Sequence, residues 1–160
     1  MRLFVRGAAG LAAALVLHMI LSRAAGEWTP LLHVFLLAVL FSALTEGEVF
    51  GAVMGTCCGL AADSLSLGVF GLSGFSMTVV GFFAGAVAKR IHVLPFFRNA
   101  VFLFVMTGLE LVLWSLWAAL TVGHPLTGLR TLLAARPLVT ALAGAAALAA
   151  YRAFRKRHVR

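Results

Sequence analysis

Acidic side chains are nearly missing from this chain: five Asp and Glu in 160 residues. That leaves little material for acid/base chemistry. Charged residues of both signs make up 11%, against about 25% in an ordinary soluble domain. So little charge cannot keep a large outer surface wet. A disordered tail, a coiled coil and a water-soluble enzyme are excluded as readings of the whole chain. The two cysteines, Cys57 and Cys58, are adjacent, unlike the spaced pairs of zinc or redox sites, and read as small apolar fillers. The five histidines form no HExxH, and neither a Walker loop nor a GxSxG elbow occurs. No catalytic residue, metal site or cofactor is expected, so the protein reads as a non-enzyme.

What is present is apolar. Hydrophobic residues make up 62% and the mean hydropathy is +1.06. A spanning helix needs roughly 20 apolar residues, and the runs here are continuous rather than alternating, which excludes barrel strands. The expected fold class is an all-α integral membrane protein, a single polytopic domain over 1–160. It is a bundle of about six transmembrane helices with spans near 7–22, 30–45, 49–63, 71–88, 99–122 and 132–151. The second and third are short for a full crossing, which leaves five spans open if the third is re-entrant. The first segment also resembles a signal peptide, with Ala24 or Ala25 as a cleavage point.

The net charge of +8 is unevenly placed. With the amino terminus inside and six crossings, ten of the thirteen basic residues fall on the cytoplasmic side, leaving Arg23, Arg130 and Arg136 outside. The positive-inside rule then puts both termini in the cytoplasm. The tail 152–160, with Arg152, Arg155, Lys156 and Arg157, reads as a contact for anionic lipid rather than for nucleic acid.

Gly47, Gly51, Gly55 and Gly59 recur every fourth residue, which on a helix makes one groove. Gly74, Thr78, Gly81 and Gly85 make a similar face in the fourth span, and Gly144, Ala147 and Ala150 one in the sixth. Lipid tails give apolar helices little reason to associate, so such faces serve close packing, within the subunit or against a partner helix. Glu110 lies mid-span, where a charge costs several kcal/mol, roughly 2.5–3.5 by insertion scales. It is expected to face inward, as a neutral hydrogen-bonded acid or as part of a polar site with Thr107, Trp114 and Trp117 on its face. Asp63 ends the third span and reads as a cap of the turn after it or as part of an intramembrane polar site. His18 is placed to approach it.

The stretch Gly51 to Arg90 carries a glycine-spaced span ending in an acid, a Ser/Leu/Gly turn, a Gly-Leu start to the next span and a GxxxG before a basic cluster. Through Gly55, Gly59, Leu60, Asp63, Gly68, Gly71, Leu72, Gly81 and Gly85 it resembles the central segment of the rod shape-determining protein MreD family. Glu46 and Glu48 depart from it, since members often have basic residues before the third span. The resemblance implies a non-enzymatic inner-membrane component of the bacterial elongation machinery. It would bind MreC by its transmembrane or juxtamembrane segment, within a complex of MreB, RodA and a class B penicillin-binding protein, and support lateral peptidoglycan synthesis and cell shape. The competing reading is the substrate-binding membrane component of an energy-coupling-factor vitamin transporter, with Glu110, Trp114 and Trp117 lining its pocket. A lipid-processing enzyme would need paired acids at one depth, which Asp63 and Glu110 do not offer.

Overall fold

The computed structural model describes residues 2–25, 32–65, 70–90, 96–122, 136–147 and 149. Five helices run in order, α1 (Arg2–Ala25), α2 (Val34–Glu46), α3 (Glu48–Leu65), α4 (Leu72–Arg90) and α5 (Phe96–Val122). A further helix, α6, covers 136–147. No strand occurs among the described residues. The basic tail and Ala150 lie outside them.

Polarity is arranged the opposite way from a soluble domain. Large apolar side chains point outward: Ile20, Phe83, Val105, Val112, Leu116 and Leu120 are all exposed. Inside are Ser76, Asn99, Thr107, Glu110 and Thr140, beside an apolar centre of Val39, Leu40, Cys58, Met77 and Val80. In water such an exterior would be one large adhesive patch; in hydrocarbon it is solvated. The buried hydroxyls of Ser42, Ser76 and Thr107 cost little, because each of the three bonds a carbonyl of its own helix. Ser42 donates to Val39 O (2.8 Å), Ser76 to Leu72 O (3.0 Å) and Thr107 to Leu103 O (2.7 Å).

The stretches Val5–Ala24, Leu72–Arg90 and Asn99–Leu120 are long and apolar enough to cross a membrane. The 13 residues of α2 reach only about 20 Å at 1.5 Å per residue. Its start is set by His33, whose Nδ1 accepts the Leu36 N–H at 3.2 Å.

One residue, Gly47, separates α2 from α3. The four-residue spacing predicts a place for it in the helical glycine groove, but it lies outside the helix, as the cap of α2. Its φ of 98° is one that side-chain-bearing residues avoid. There it ends α2, its N–H donating to Ala43 O at 3.1 Å, while its carbonyl accepts the Gly51 N–H at 2.9 Å. The chain thus reverses with both polar backbone groups of Gly47 paired.

The other glycines of α3 face α4, which runs antiparallel to it. A Cβ on Gly51 would lie 2.5 Å from Gly81 O, and one on Gly59 2.5 Å from Gly74 Cα. One on Gly55 would collide with the Met77 carbonyl, and one on Gly85 with the Glu48 backbone. The two helices therefore meet backbone to backbone along their length. Midway the hydroxyls of Thr56 and Thr78 are 2.8 Å apart. Gly144 of α6 instead meets side chains, Leu37 and Leu103.

Gly55→Ala is expected to destabilise the protein by at least 1–3 kcal/mol, roughly the cost of overpacking. Gly108→Ala serves as the control: nothing lies within 4 Å of its added methyl, and it should be neutral or stabilise by up to about 1 kcal/mol. Melting of the detergent-solubilised variants, followed by size exclusion, checks both.

Candidate functional site

Three features outside the apolar core carry polar or ligand-accepting character: the capped end of the α3–α4 hairpin, a polar layer on α5 and α6, and a groove between α1 and α6.

Asp63 is 4% exposed. Its carboxylate accepts from three backbone N–H groups across the turn, Gly71 (2.8 Å), Ser73 (3.1 Å) and Gly74 (3.2 Å). These are the donors a helix leaves unpaired at its first turn, so Asp63 caps α4 from the preceding helix. An anion there also complements the positive end of the α4 dipole. Gly71 makes the approach possible, with φ 96° and open space around it. The neighbouring Ser66 lies outside the described residues. His18, placed by sequence near Asp63, packs against Phe35 with the rings tilted, 5.1 Å between centroids.

At the opposite end, Glu46 and Glu48 flank Gly47. Arg6 of α1 reaches Glu46 at 2.7 Å and Lys89 of α4 reaches Glu48 at 2.8 Å. The two acids that depart from the family pattern are thus the anchor points of two helices. Sequence reasoning missed both pairs; an acid on each side of a single glycine was the available signal. Glu48 sits at the polar edge where α3 begins. The hydrogen bond from Lys89 holds its carboxyl below the usual carboxylate range.

Glu110 is 2% exposed and lies on the inner face of α5 with Asn99 and Thr107. Thr107 Oγ1 comes within 3.4 Å of Pro137 O on α6, and Thr140 of α6 accepts the His33 N–H at 3.4 Å. The tryptophans do not complete a pocket around Glu110. Trp114 is half-buried, while Trp117 is exposed and meets Phe75 edge-on at 5.1 Å. At 27 residues α5 is longer than the 19 of α4. The described residues give no support to the aromatic site that the vitamin-transporter reading requires. Cys58 fills the core, but Cys57, expected to do the same, faces outward.

The groove has a volume of about 1010 Å³. α2 forms its floor through Leu37, Ala38 and Phe41. Ala9, Gly10, Ala13 and Ala14 of α1 form one wall, and Gly144 and Ala147 of α6 the other. It runs from Leu32 at one end of α2 to the Arg6–Glu46 pair at the other. No group of three His, Cys, Asp or Glu suited to a metal occurs among the described residues.

A helical chain with an apolar exterior, inward polar contacts and three helices of spanning length is a membrane protein by class. The family model for the rod shape-determining protein MreD matches residues 3–146, and the chain belongs to that family of bacterial membrane proteins. The family determines rod shape and is a structural rather than an enzyme family. No curated protein and no solved structure matches the chain.

Asp63→Ala is expected to cost roughly 2–3 kcal/mol, the scale of a lost charged cap. Asp63→Asn, which keeps one acceptor oxygen, should cost less. Thermal unfolding of the two variants checks the order. For Glu48 the folded carboxyl has the lower pKa, so its contribution is full above the ordinary carboxylate pKa. It is lost as pH falls through the lowered one. Glu48→Gln should melt below wild type at neutral pH, and the gap should close in acid.

Proposed function

We propose that this protein is a non-enzymatic inner-membrane component of the cell-elongation machinery. It binds the transmembrane helix of MreC and supports lateral peptidoglycan synthesis and rod shape. Its wider complex includes MreB, RodA and a class B penicillin-binding protein. Both termini are cytoplasmic and the helices make six crossings, a topology supported by the bias of ten basic residues against three. The residues Arg152, Arg155, Lys156 and Arg157 then meet anionic lipid at the inner leaflet.

The observation that carries the reading is the groove. Small-residue walls let a visiting helix come close to two backbones at once, and close approach is the main source of helix affinity in lipid. The groove extends along α2, as a seat for one spanning helix must. Only 11% of the α1 span is buried within the subunit, which leaves most of that helix free to meet a partner. The side where α3 and α4 are in backbone contact is closed, whereas the groove is an accessible concave surface among the described residues.

Ala13→Trp and Ala147→Trp fill the groove from exposed wall positions. Both variants should accumulate and melt as wild type, yet recover at most about a tenth of the MreC when pulled from membranes containing both. Wild-type recovery of MreC by both variants would overturn the docking assignment. Depletion of the protein in its own host should turn rods into spheres; rods that persist would overturn the role in shape.

A further inference from the structure

The groove is polar at one end. Among the described residues that line it, Arg6, Ser42, Thr45 and Glu46 carry the polar side chains, and all four stand where α1 starts and α2 ends. From Leu32 to Phe41 the lining is apolar.

Three of the four offer acceptors. Ser42 Oγ donates its proton to Val39 O (2.8 Å), and Thr45 Oγ1 donates its own to Phe41 O (3.0 Å) or Ser42 O (3.2 Å). Each hydroxyl oxygen keeps lone pairs to accept with. Arg6 bonds Glu46 through Oε1 at 2.7 Å, and Oε2 takes no hydrogen bond among the described residues. The Glu46 side chain is 23% exposed, the Arg6 side chain 69%. The acid is thus held at the groove's edge, while most of its guanidinium partner is already in solvent, where such a pair is weak.

The side chain that suits this end is a donor without acceptors, which means Lys or Arg. An acidic side chain would meet acceptor oxygens and compete with Glu46 for one guanidinium. Topology asks for the same chemistry. With both termini inside, this end of the groove is cytoplasmic, and Lys and Arg collect at the cytoplasmic flank of spanning helices.

We propose that the groove recognises the basic cytoplasmic flank of its occupant. A Lys or Arg just outside the visiting helix's apolar run bonds Glu46 Oε2, with Ser42 Oγ and Thr45 Oγ1 as neighbouring acceptors. The contact fixes which end of the helix enters beside Arg6 and at what depth. It rests on the docking of the MreC helix argued above and adds the chemistry by which that helix is read.

The test uses the full chain and full-length MreC, produced together and recovered by pull-down from their membranes. Glu46→Gln should lower MreC recovery about two- to fivefold, the worth of a largely surface charge pair, and Glu46→Lys should lower it further. MreC with the Lys or Arg nearest its apolar run changed to Glu should bind the wild-type chain less and regain most of its recovery with Glu46→Lys. Arg6→Gln breaks the same tie between α1 and α2 but leaves the acid in place, so it should recover MreC at the wild-type level or above. Unchanged recovery by Glu46→Gln would overturn the contact. Equal losses from Arg6→Gln and Glu46→Gln would trace the effect to loosening of α1 and overturn it too. Should the Glu46 variants not accumulate, the MreC variant against the wild-type chain decides, and undiminished recovery overturns the contact. A wild-type chain that recovers no MreC overturns the docking reading itself, and the contact with it.

Discussion

Hydrocarbon gives no hydrophobic reward for bringing helices together, so contact must come from close packing and from polar groups with nowhere else to go. The α3–α4 hairpin meets that constraint most completely. Its glycines let carbonyls and Cα atoms of one helix lie where a Cβ of the other would be. The remaining contacts of the hairpin follow from this approach. Only with the helices this close can Thr56 reach Thr78, Lys89 reach Glu48, and Asp63 reach the first turn of α4. The hairpin is thus closed at both ends and in the middle, and α2, linked to it through the single residue Gly47, packs on it through Val39 and Ala43.

Around this rigid pair the other helices are held more loosely and by different chemistry. α1 is tied at one end by Arg6–Glu46 and rests on Phe50 and Met54 through Gly7. α5 and α6 share a polar layer. The consequence is an open channel of small residues over α2, where the bundle has helix surface to spare. Among the described residues little chain lies outside the helices. On the proposed reading, its part in a shape-determining assembly is a matter of which helix it receives from the bilayer.

Much of this was legible in the residues. Helix number and approximate bounds follow from apolar runs broken by Gly, Pro and charge. The facing glycines of α3 and α4 follow from four-residue spacing, and the family follows from their combination with Asp63 and the Gly71–Leu72 start. Other features depended on relations between distant segments. Gly47 fits the spacing yet breaks the helix, because its φ rather than its size is what the turn needs. Asp63 caps a helix that begins nine residues later, whereas periodicity and local capping rules look only along one element. Glu46 and Glu48 looked like departures from a pattern until Arg6 and Lys89 were seen to meet them. The groove draws its lining from five helices, α1, α2, α3, α5 and α6, and no stretch of the chain encodes it alone.

The central claim is that this groove seats the transmembrane helix of MreC. A photo-crosslinking residue placed at Ala147, on the α6 wall, tests it in living cells, with the same probe at Phe83, exposed on α4 outside the groove, for comparison. The account predicts a covalent adduct with MreC from Ala147 and none from Phe83. An adduct from Phe83 alone, or from neither position while the complex is intact, would contradict it.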